Sequence, residues 1–385
     1  MQTGDVTAGT RLVASEARST ADEAEALRTM PPALVRTVRT SGLFQMAMPR
    51  SLGGLELDPA SIVAAVEEVS HADGSAGWTV LIGNSTAFLA WFEPTAAKEV
   101  LRGAVDVVST SMFAPLGRAR RDGDHLVIDG RWPFNSGCVH AEMYQAGVIL
   151  MDDDGPIHRA DGSIDARFAV FPHEAATIID TWHSMGLRGT GSHDIEVREL
   201  RVPEAHTAAP MLDPPVQGGG LWELGFFPLL SVLMSGFPLG VARRALDELA
   251  ALAATKRRGS SPTTIAEDPR VHYDVGRAEA ALLSARSFVF EVIGDAWNTI
   301  SAGSSPTPAQ LGRITLAGQQ AMHAAITAVD LAFGFAGAGV VYSGHPLERC
   351  FRDLHTANQH IAFSGEGFSA YARARLGCRE ETSDR

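Results

Sequence analysis

Ser136 ends a run of strand-forming residues and precedes Gly137, so its hydroxyl is either part of a turn or a hydrogen-bonding group held at a strand end. His360, in the run NQH at residues 358–360, carries an imidazole whose ordinary pKa near roughly 6.5 lets it take or give a proton around neutrality. That would suit deprotonation of a phenol-like or amine group, and a satisfied core or surface histidine is the plain alternative. Ile361 beside it has no titratable atom, and Glu366 is the one tempting carboxylate close by. Of the aromatic pair Trp132 and Phe134, one is expected in the core and the other against a ligand. Gly334, Gly337 and Gly339 either interrupt a helix or bring backbone amides up to a polar ligand. Lys256, Arg257 and Arg258 read as a solvated helix end or as an anion contact. His355 and His360 are five apart with no third ligand in view, so no metal site is expected. No glycine fingerprint for a nicotinamide dinucleotide occurs after a strand.

Composition limits what these residues can serve. The chain has 385 residues, enough for two or three domains, with 45% hydrophobic and 20% charged residues, as in an ordinary globular enzyme. A formal charge of -13 repels phosphate backbones and acidic membrane surfaces, so neither nucleic acid nor membrane is expected as a partner. Cys138, Cys350 and Cys378 are too few and scattered for a disulfide framework and read as reduced packing residues. The first 30 residues are interrupted by Asp5, Glu16, Asp22, Glu23 and Glu25 and lack the apolar core of a secretory signal, so a cytoplasmic location is expected. Residues 226–242 are strongly apolar but short for a membrane span, and they read as a buried helix.

The elements that must position the candidates follow from caps and periodicity. Asp58-Pro59 starts a helix in which Ile62, Val63, Val66 and Val69 recur at helical spacing, with Glu67 and Glu68 on the other face. Pro94 opens another, and residues 76–91 are apolar nearly all round, as in an enclosed helix. Residues 1–105 are therefore expected to form a helical domain. From residue 106 short alternating segments predict strands, with a tight hairpin turn at Asp129-Gly130. The apolar alternation slips between Ile195/Val197 and Leu200/Val202, which predicts a bulge. A Pro- and Gly-rich run at 202–220 closes this β-domain of residues 106–220 as a linker or long surface connection. Asp268-Pro269 and Thr307-Pro308 then start long helices, so residues 221–385 are expected to form a bundle of four long helices.

This order of domains, α+β in class, resembles the acyl-CoA dehydrogenase superfamily, and local stretches carry the resemblance further. GRWPFNSGCVHA at residues 130–141 is similar to the strand on which that family sets an aromatic residue and a hydroxyl against its flavin, which implies stacking by Phe134 and hydrogen bonding by Ser136. MGLRGTGS at 185–192, followed by LRVP at 200–203, resembles the second β-domain signature. With Trp78 of the Gly77-Trp78 pair and His360, its Thr190 and Ser192 are implied on the substrate side. FGFAGAGVV at 333–341 resembles the loop that meets a flavin dinucleotide from a neighbouring subunit, and Lys256 to Arg258 resembles the cationic segment at the same interface. The cofactor contacts so implied are Phe134, Ser136, Arg257, Arg258, Gly334, Gly337 and Gly339. The expected fold is an N-terminal helical domain, a middle β-barrel or sandwich and a C-terminal four-helix bundle.

The sequence departs from the family's dehydrogenases where they need a carboxylate base. Nine residues after Arg352 of the Arg-Asp pair stands Ile361, and His360 beside it resembles the histidine of the flavin-dependent monooxygenase branch. The resemblance implies a two-component monooxygenase, an oxidoreductase using reduced flavin (FADH2 or FMNH2) and O2. Ser136 and His360 would be catalytic, with oxygen held on flavin carbon 4a before transfer to a small, aromatic or heterocyclic substrate. A separate NAD(P)H-dependent flavin reductase and a homo-oligomer, a tetramer by the family's habit, are implied partners. Further along from Gly77-Trp78 stand Asn84, Ser85 and Thr86, whereas some relatives carry a histidine in the helix after that pair, so the substrate is left open among phenols, indoles, thioethers and amines. The competing reading is an FAD-dependent acyl-CoA dehydrogenase with Glu366 as a displaced base, and the third is a non-catalytic ligand-binding protein.

Overall fold

The computed structural model describes residues 3–257, 259 and 262–377. Its helices are α1 (Thr3–Leu27), α2 (Pro32–Thr40), α3 (Pro59–Ala72), α4 (Gly74–Gly83), α5 (Pro94–Leu101), α6 (Phe226–Ala253), α7 (Pro269–Ser301), α8 (Pro308–Ala336), α9 (Pro346–Ala357) and α10 (Glu366–Arg375). The strands are β1 (Ser109–Asp122), β2 (His125–Asn135), β3 (Met143–Asp152), β4 (Gly155–Pro156), β5 (Ala166–Pro172), β6 (Thr177–Ile179), β7 (His193–Pro203) and β8 (Thr207–Ala208). Two compact units result, one of residues up to 58, 75–184 and 188–226, the other of 59–74, 185–187 and 227 onward. The division differs from the three stretches expected from sequence. The N-terminal helices other than α3 share a unit with the strands, and α3 belongs with the C-terminal helices.

In the first unit the β-domain takes the form of one mixed sheet in the order β6-β7-β2-β1-β3-β5-β8, with β4 on β3. Among the described strands only β1 and β3 run parallel. One core gathers Trp132, Tyr144, Val148, Phe171 and Ile195. Phe113 stacks on Phe168 with centroids 4.4 Å apart, and Phe88 and Phe226 meet Phe113 edge-on. The hairpin turn lies at Gly123-Asp124, between β1 and β2, not at Asp129-Gly130. Gly123 takes φ +65, which a tight turn needs. Asp129 and Gly130 instead lie inside β2 opposite the slipped register of β7, where Asp129 Oδ1 accepts the Glu199 amide (2.9 Å) at φ +47. The bulge read from alternation is therefore present, and the Asp-Gly pair serves it.

The enclosed segment expected at 76–91 is helical only to Gly83 and tightens into a 3-10 turn at Asn84–Trp91, buried throughout. Asn84 explains the change, because its amide nitrogen donates to Leu43 O (2.7 Å) and Val80 O (2.9 Å) and its oxygen accepts the Ala47 amide (3.0 Å). The 202–220 run is not a free linker. It contributes β8, and its Val216 amide and Gln217 side chain bond the backbone of residues 89–92.

In the second unit α6, α7 and α8 have 28, 33 and 29 residues, whereas α9 and α10 have 12 and 10. The caps are those expected, with Asp268 accepting from the Arg270 amide and Thr307 forming a capping box with Gln310. α3 joins these long helices. A Cβ on Gly236 or Gly240 would strike the α3 backbone at Val63 and Glu67, so these glycines set a close helix crossing. Glu67, on the face expected to be polar, pairs with Arg286 of α7 (2.7 Å). α6 is long and apolar enough to cross a membrane by composition, but 72% of its apolar window is buried inside the protein.

Candidate flavin site

β2 ends in a turn that separates its two aromatic residues. Strict alternation would point Trp132 and Phe134 the same way. Trp132 is fully buried and donates to Gly147 O (2.7 Å). Phe134 adopts φ +63, a left-handed conformation strained for a side chain of this size, and its ring emerges 59% exposed. The turn is pinned from several sides. Thr110 Oγ1 donates to Ser136 O (2.7 Å), the Gly137 amide to Thr190 O (2.8 Å) and Asn135 Nδ2 to Trp132 O (2.7 Å).

Ser136 is buried, and its hydroxyl belongs to a chain. Trp78 Nε1 donates to Ser136 Oγ (3.0 Å), Ser136 Oγ lies 2.7 Å from Ser192 Oγ, and Ser192 Oγ lies 2.6 Å from Thr190 Oγ1. All four residues are buried. Trp78, Thr190 and Ser192, expected on the substrate side along with His360, are thus brought together with Ser136, and of these three Ser192 lines the neighbouring pocket.

That pocket, about 210 Å³, is lined by Phe134, Trp182, His183, Ser192 and Asp194 among others. Phe134 and Trp182 face each other edge-on at 6.3 Å. The segment bearing Trp182 is held at both ends. Arg28 grips Asp180 with two hydrogen bonds (2.6 and 2.7 Å), which holds that carboxyl down to about 2. His193 Nδ1 accepts the Thr181 and Trp182 amides (3.3 and 3.2 Å), and burial lowers its pKa, so the ring stays neutral as those bonds require. Sequence reading missed Trp182. The signal was there, since DTW at 180–182 directly precedes the 185–192 signature.

In the second unit His360 caps the short turn Ile361–Phe363, its Nδ1 accepting the Ala362 amide (3.2 Å). The ring is half-buried by accessible surface, yet enough protein surrounds it that burial lowers its pKa to about 4. An accepting Nδ1 places the proton of the neutral ring on Nε2. Gln319 of α8 holds this loop, donating to Ala362 O and accepting the Gly365 amide (3.0 Å). Ile361 is 80% exposed, and Glu366 lies at the surface in an ion pair with Arg373.

Among the expected phosphate contacts, Gly337 and Gly339 sit against Lys256, whose Nζ lies 2.8 Å from where a Cβ on Gly339 would be. Gly334 lies within α8 with open space around it, and Arg257 is exposed, its backbone bridging to Thr264. Arg258 and Cys378 lie outside the described residues. Cys138 and Cys350 are free, buried thiols, raised to about 12 and above that range respectively by burial. Among the described residues no group of three His, Cys, Asp or Glu is placed to hold a metal.

Comparison with known proteins decides the family. Residues 7–101 match the acyl-CoA dehydrogenase N-terminal domain and residues 232–365 the acyl-CoA dehydrogenase C-terminal domain. Over 341 residues the chain is 33% identical to an indole-3-acetate monooxygenase of Pseudomonas putida, covering 86% of this chain and 83% of that one. The chain belongs to the acyl-CoA dehydrogenase superfamily, in its flavin-dependent monooxygenase branch. The enzyme is also 27% identical to the flavin-dependent monooxygenase oxygenase subunit HsaA of Rhodococcus jostii, over 90% and 91% of the two chains. Its fold matches that of XiaF from Streptomyces, solved with FADH2 and glycerol, with a TM-score of 0.90 at 24% identity over 99% and 97% of the two chains. The oxidoreductase reading, the fold and the use of reduced flavin with O2 therefore stand.

The first unit of this enzyme suits such a cofactor on its own geometry. A strained, exposed aromatic ring lines a pocket with Ser192, whose hydroxyl is linked to that of buried Ser136, and a flat apolar face with a hydrogen-bonding group suits an isoalloxazine edge. In the second unit, an ammonium group laid over side-chain-free backbone suits a phosphate.

Proposed function

We propose that this enzyme is the oxygenase component of a two-component system, accepting reduced flavin from a separate NAD(P)H-dependent reductase and oxygenating a small aromatic or heterocyclic substrate. One observation carries the choice over dehydrogenation. The position for a carboxylate base holds Ile361, and Glu366 is tied to Arg373 at the surface. The name of the Pseudomonas putida relative favours an indole-like ring, and a phenol is the nearest alternative.

Bound reduced flavin supplies the electrons that activate O2, and the chain's own groups do the rest. Phe134 and Trp182 give the ring an apolar bed, Ser136 supplies a hydrogen bond at its edge, and burial keeps water from that bond. Lys256 with Gly337 and Gly339 would take the phosphate of a flavin held by a neighbouring subunit. His360 acts through Nε2–H as a donor to substrate or oxygen, since its pKa leaves the ring neutral over the physiological range. Exclusion of water is what stops reduced flavin from wasting O2 as peroxide. We further propose a homotetramer and a cytoplasmic location, the latter in keeping with free Cys138 and Cys350.

The test is rapid mixing of the anaerobic protein and reduced FAD or FMN with oxygenated buffer, with and without an indole or a phenol. Slowed flavin reoxidation, less than stoichiometric peroxide and a hydroxylated product are expected. Reoxidation as fast as for free flavin, with all the oxygen recovered as peroxide, would contradict the proposal. So would bleaching of bound oxidised flavin by an acyl-CoA.

A further inference from the structure

The pocket that Phe134 and Trp182 line also carries polar side chains, and two of these are already engaged. Asp194 accepts from Thr181 Oγ1 and from Arg131 Nε (both 2.8 Å), and the Ser192 hydroxyl lies 2.7 and 2.6 Å from those of Ser136 and Thr190. His183 stands apart from them. Its imidazole lines the same pocket, its side chain is 68% exposed, and Asp180 Oδ1 lies 3.6 Å from its Nε2, beyond hydrogen-bond distance. Arg28 Nη1 lies 3.4 Å from Nδ1 and 3.3 Å from Nε2. In the ring plane such an approach would drive it into the carbon between the two nitrogens, so the guanidinium lies over the face of the ring. The in-plane edges of both ring nitrogens are thereby left for a ligand.

We infer that His183 is a further flavin-binding residue, hydrogen-bonded to the polar edge of the flavin ring, and that Arg28 is the positioning residue that holds its imidazole there. The inference rests on the reading that this pocket receives the flavin. A flavin ring has an apolar benzenoid end and a pyrimidine end that bears two carbonyls and an N–H. Phe134 and Trp182 suit its flat face, and a neutral imidazole, with one donor and one acceptor, can meet either kind of group at the pyrimidine end. Arg28 is itself fixed from several sides. It follows α1 at φ +56, and its carbonyl oxygen lies 3.0 Å from where a Cβ on Gly191 would stand. Its guanidinium bonds both Asp180 oxygens and donates to Trp182 O (3.2 Å) while lying over His183. A lysine could keep the charge pair with Asp180, but it has no flat face to lay on the imidazole.

The experiment is anaerobic equilibrium titration of the full-length protein with reduced FAD, followed by quenching of tryptophan fluorescence. His183→Phe keeps a flat ring for Arg28 and removes the ring nitrogens, so affinity should fall about three- to tenfold with the melting temperature unchanged. Arg28→Lys should cause a loss of similar size in the wild-type background and less than about twofold in the His183→Phe background, because it acts through the same contact. Equal losses in both backgrounds would make Arg28 merely structural and overturn its positioning role. Reduced riboflavin, which has the ring and no phosphate, should lose as much affinity on His183→Phe as FAD does. A loss confined to FAD would put His183 at the phosphate and overturn the assignment to the ring. Phe134→Ala separates the two levels of the argument. If neither it nor His183→Phe weakens binding, the pocket does not take the flavin and the inference falls with that reading. If Phe134→Ala weakens binding and His183→Phe does not, the flavin reading stands and the role of His183 alone fails.

Discussion

Asp353→Asn should make the enzyme more stable in neutral and alkaline solution while changing little in acid. Asp353 lies on α9 at 2% exposure, its Oδ1 accepting the Leu187 amide (2.6 Å) and its Oδ2 lying 2.7 Å from where a Cβ on Gly74 would stand. Burial first, and the neighbouring carboxylate of Asp73 second, raise its pKa to about 7, against the opposing pull of the Leu187 amide and, more weakly, of Arg352 and Arg349. A rise of about three units corresponds to roughly 4 kcal/mol that folding must supply to keep the ionised form buried. The folded pKa exceeds the unfolded one, so both states are neutral below about pH 4 and no penalty exists there. Between about pH 4 and 7 only the unfolded chain ionises, and stability falls across that window. Above it the penalty is constant. Asparagine keeps an oxygen for the Leu187 amide and removes the charge, so the gain should grow from near zero at about pH 4 to on the order of 2–4 kcal/mol at about pH 8. Urea unfolding of both proteins across this range measures it. A difference that does not vary with pH, or a variant less stable at pH 8, would refute the reasoning.

Other consequences are equally direct. Phe134→Gly removes left-handed strain and a mostly exposed ring, so it should raise stability by about 1 kcal/mol in thermal unfolding while flavin titration shows weaker binding. His360→Ala should lose about 1 kcal/mol with the cap to Ala362, whereas His360→Asn keeps a capping oxygen and the stability, and both should lose product formation. Because burial depresses the His360 pKa to about 4, the wild type should lose stability as pH falls from about 6.5 to about 4, and His360→Asn should flatten that slope. Gly236→Ala drives a methyl group into the α3 backbone at Val63 and should cost about 2 kcal/mol or more in urea unfolding.

The chain disclosed what depends on local chemistry. Cap-plus-proline starts at 58–59, 268–269 and 307–308 fall where helices begin, and the alternation slip near 198–199 is a real bulge. Features set by distant partners were not legible. Asp129-Gly130 and Asp122-Gly123 carry the same turn-forming pair, and only pairing with β7 decides which one bulges and which one turns. The 3-10 turn at 84–91 depends on Asn84 reaching residues 43 and 47. The exposure of Phe134 comes from a backbone angle no periodicity encodes, and α3 leaves its sequence neighbours because Gly236 and Gly240 await it. At the site, Ser136 was marked by its motif, but its links to Trp78, Ser192 and Thr190 needed three separate segments to fold together.

The central claim is that oxygen passes from O2 to substrate on this scaffold, and a single turnover with isotopically heavy dioxygen tests it most directly. Reduced flavin, protein and an indole or phenol should give a product carrying one heavy oxygen atom, with Ser136→Ala and His360→Asn diverting that oxygen to peroxide. Product labelled only from heavy water, or no labelled product with the wild type, would contradict the account.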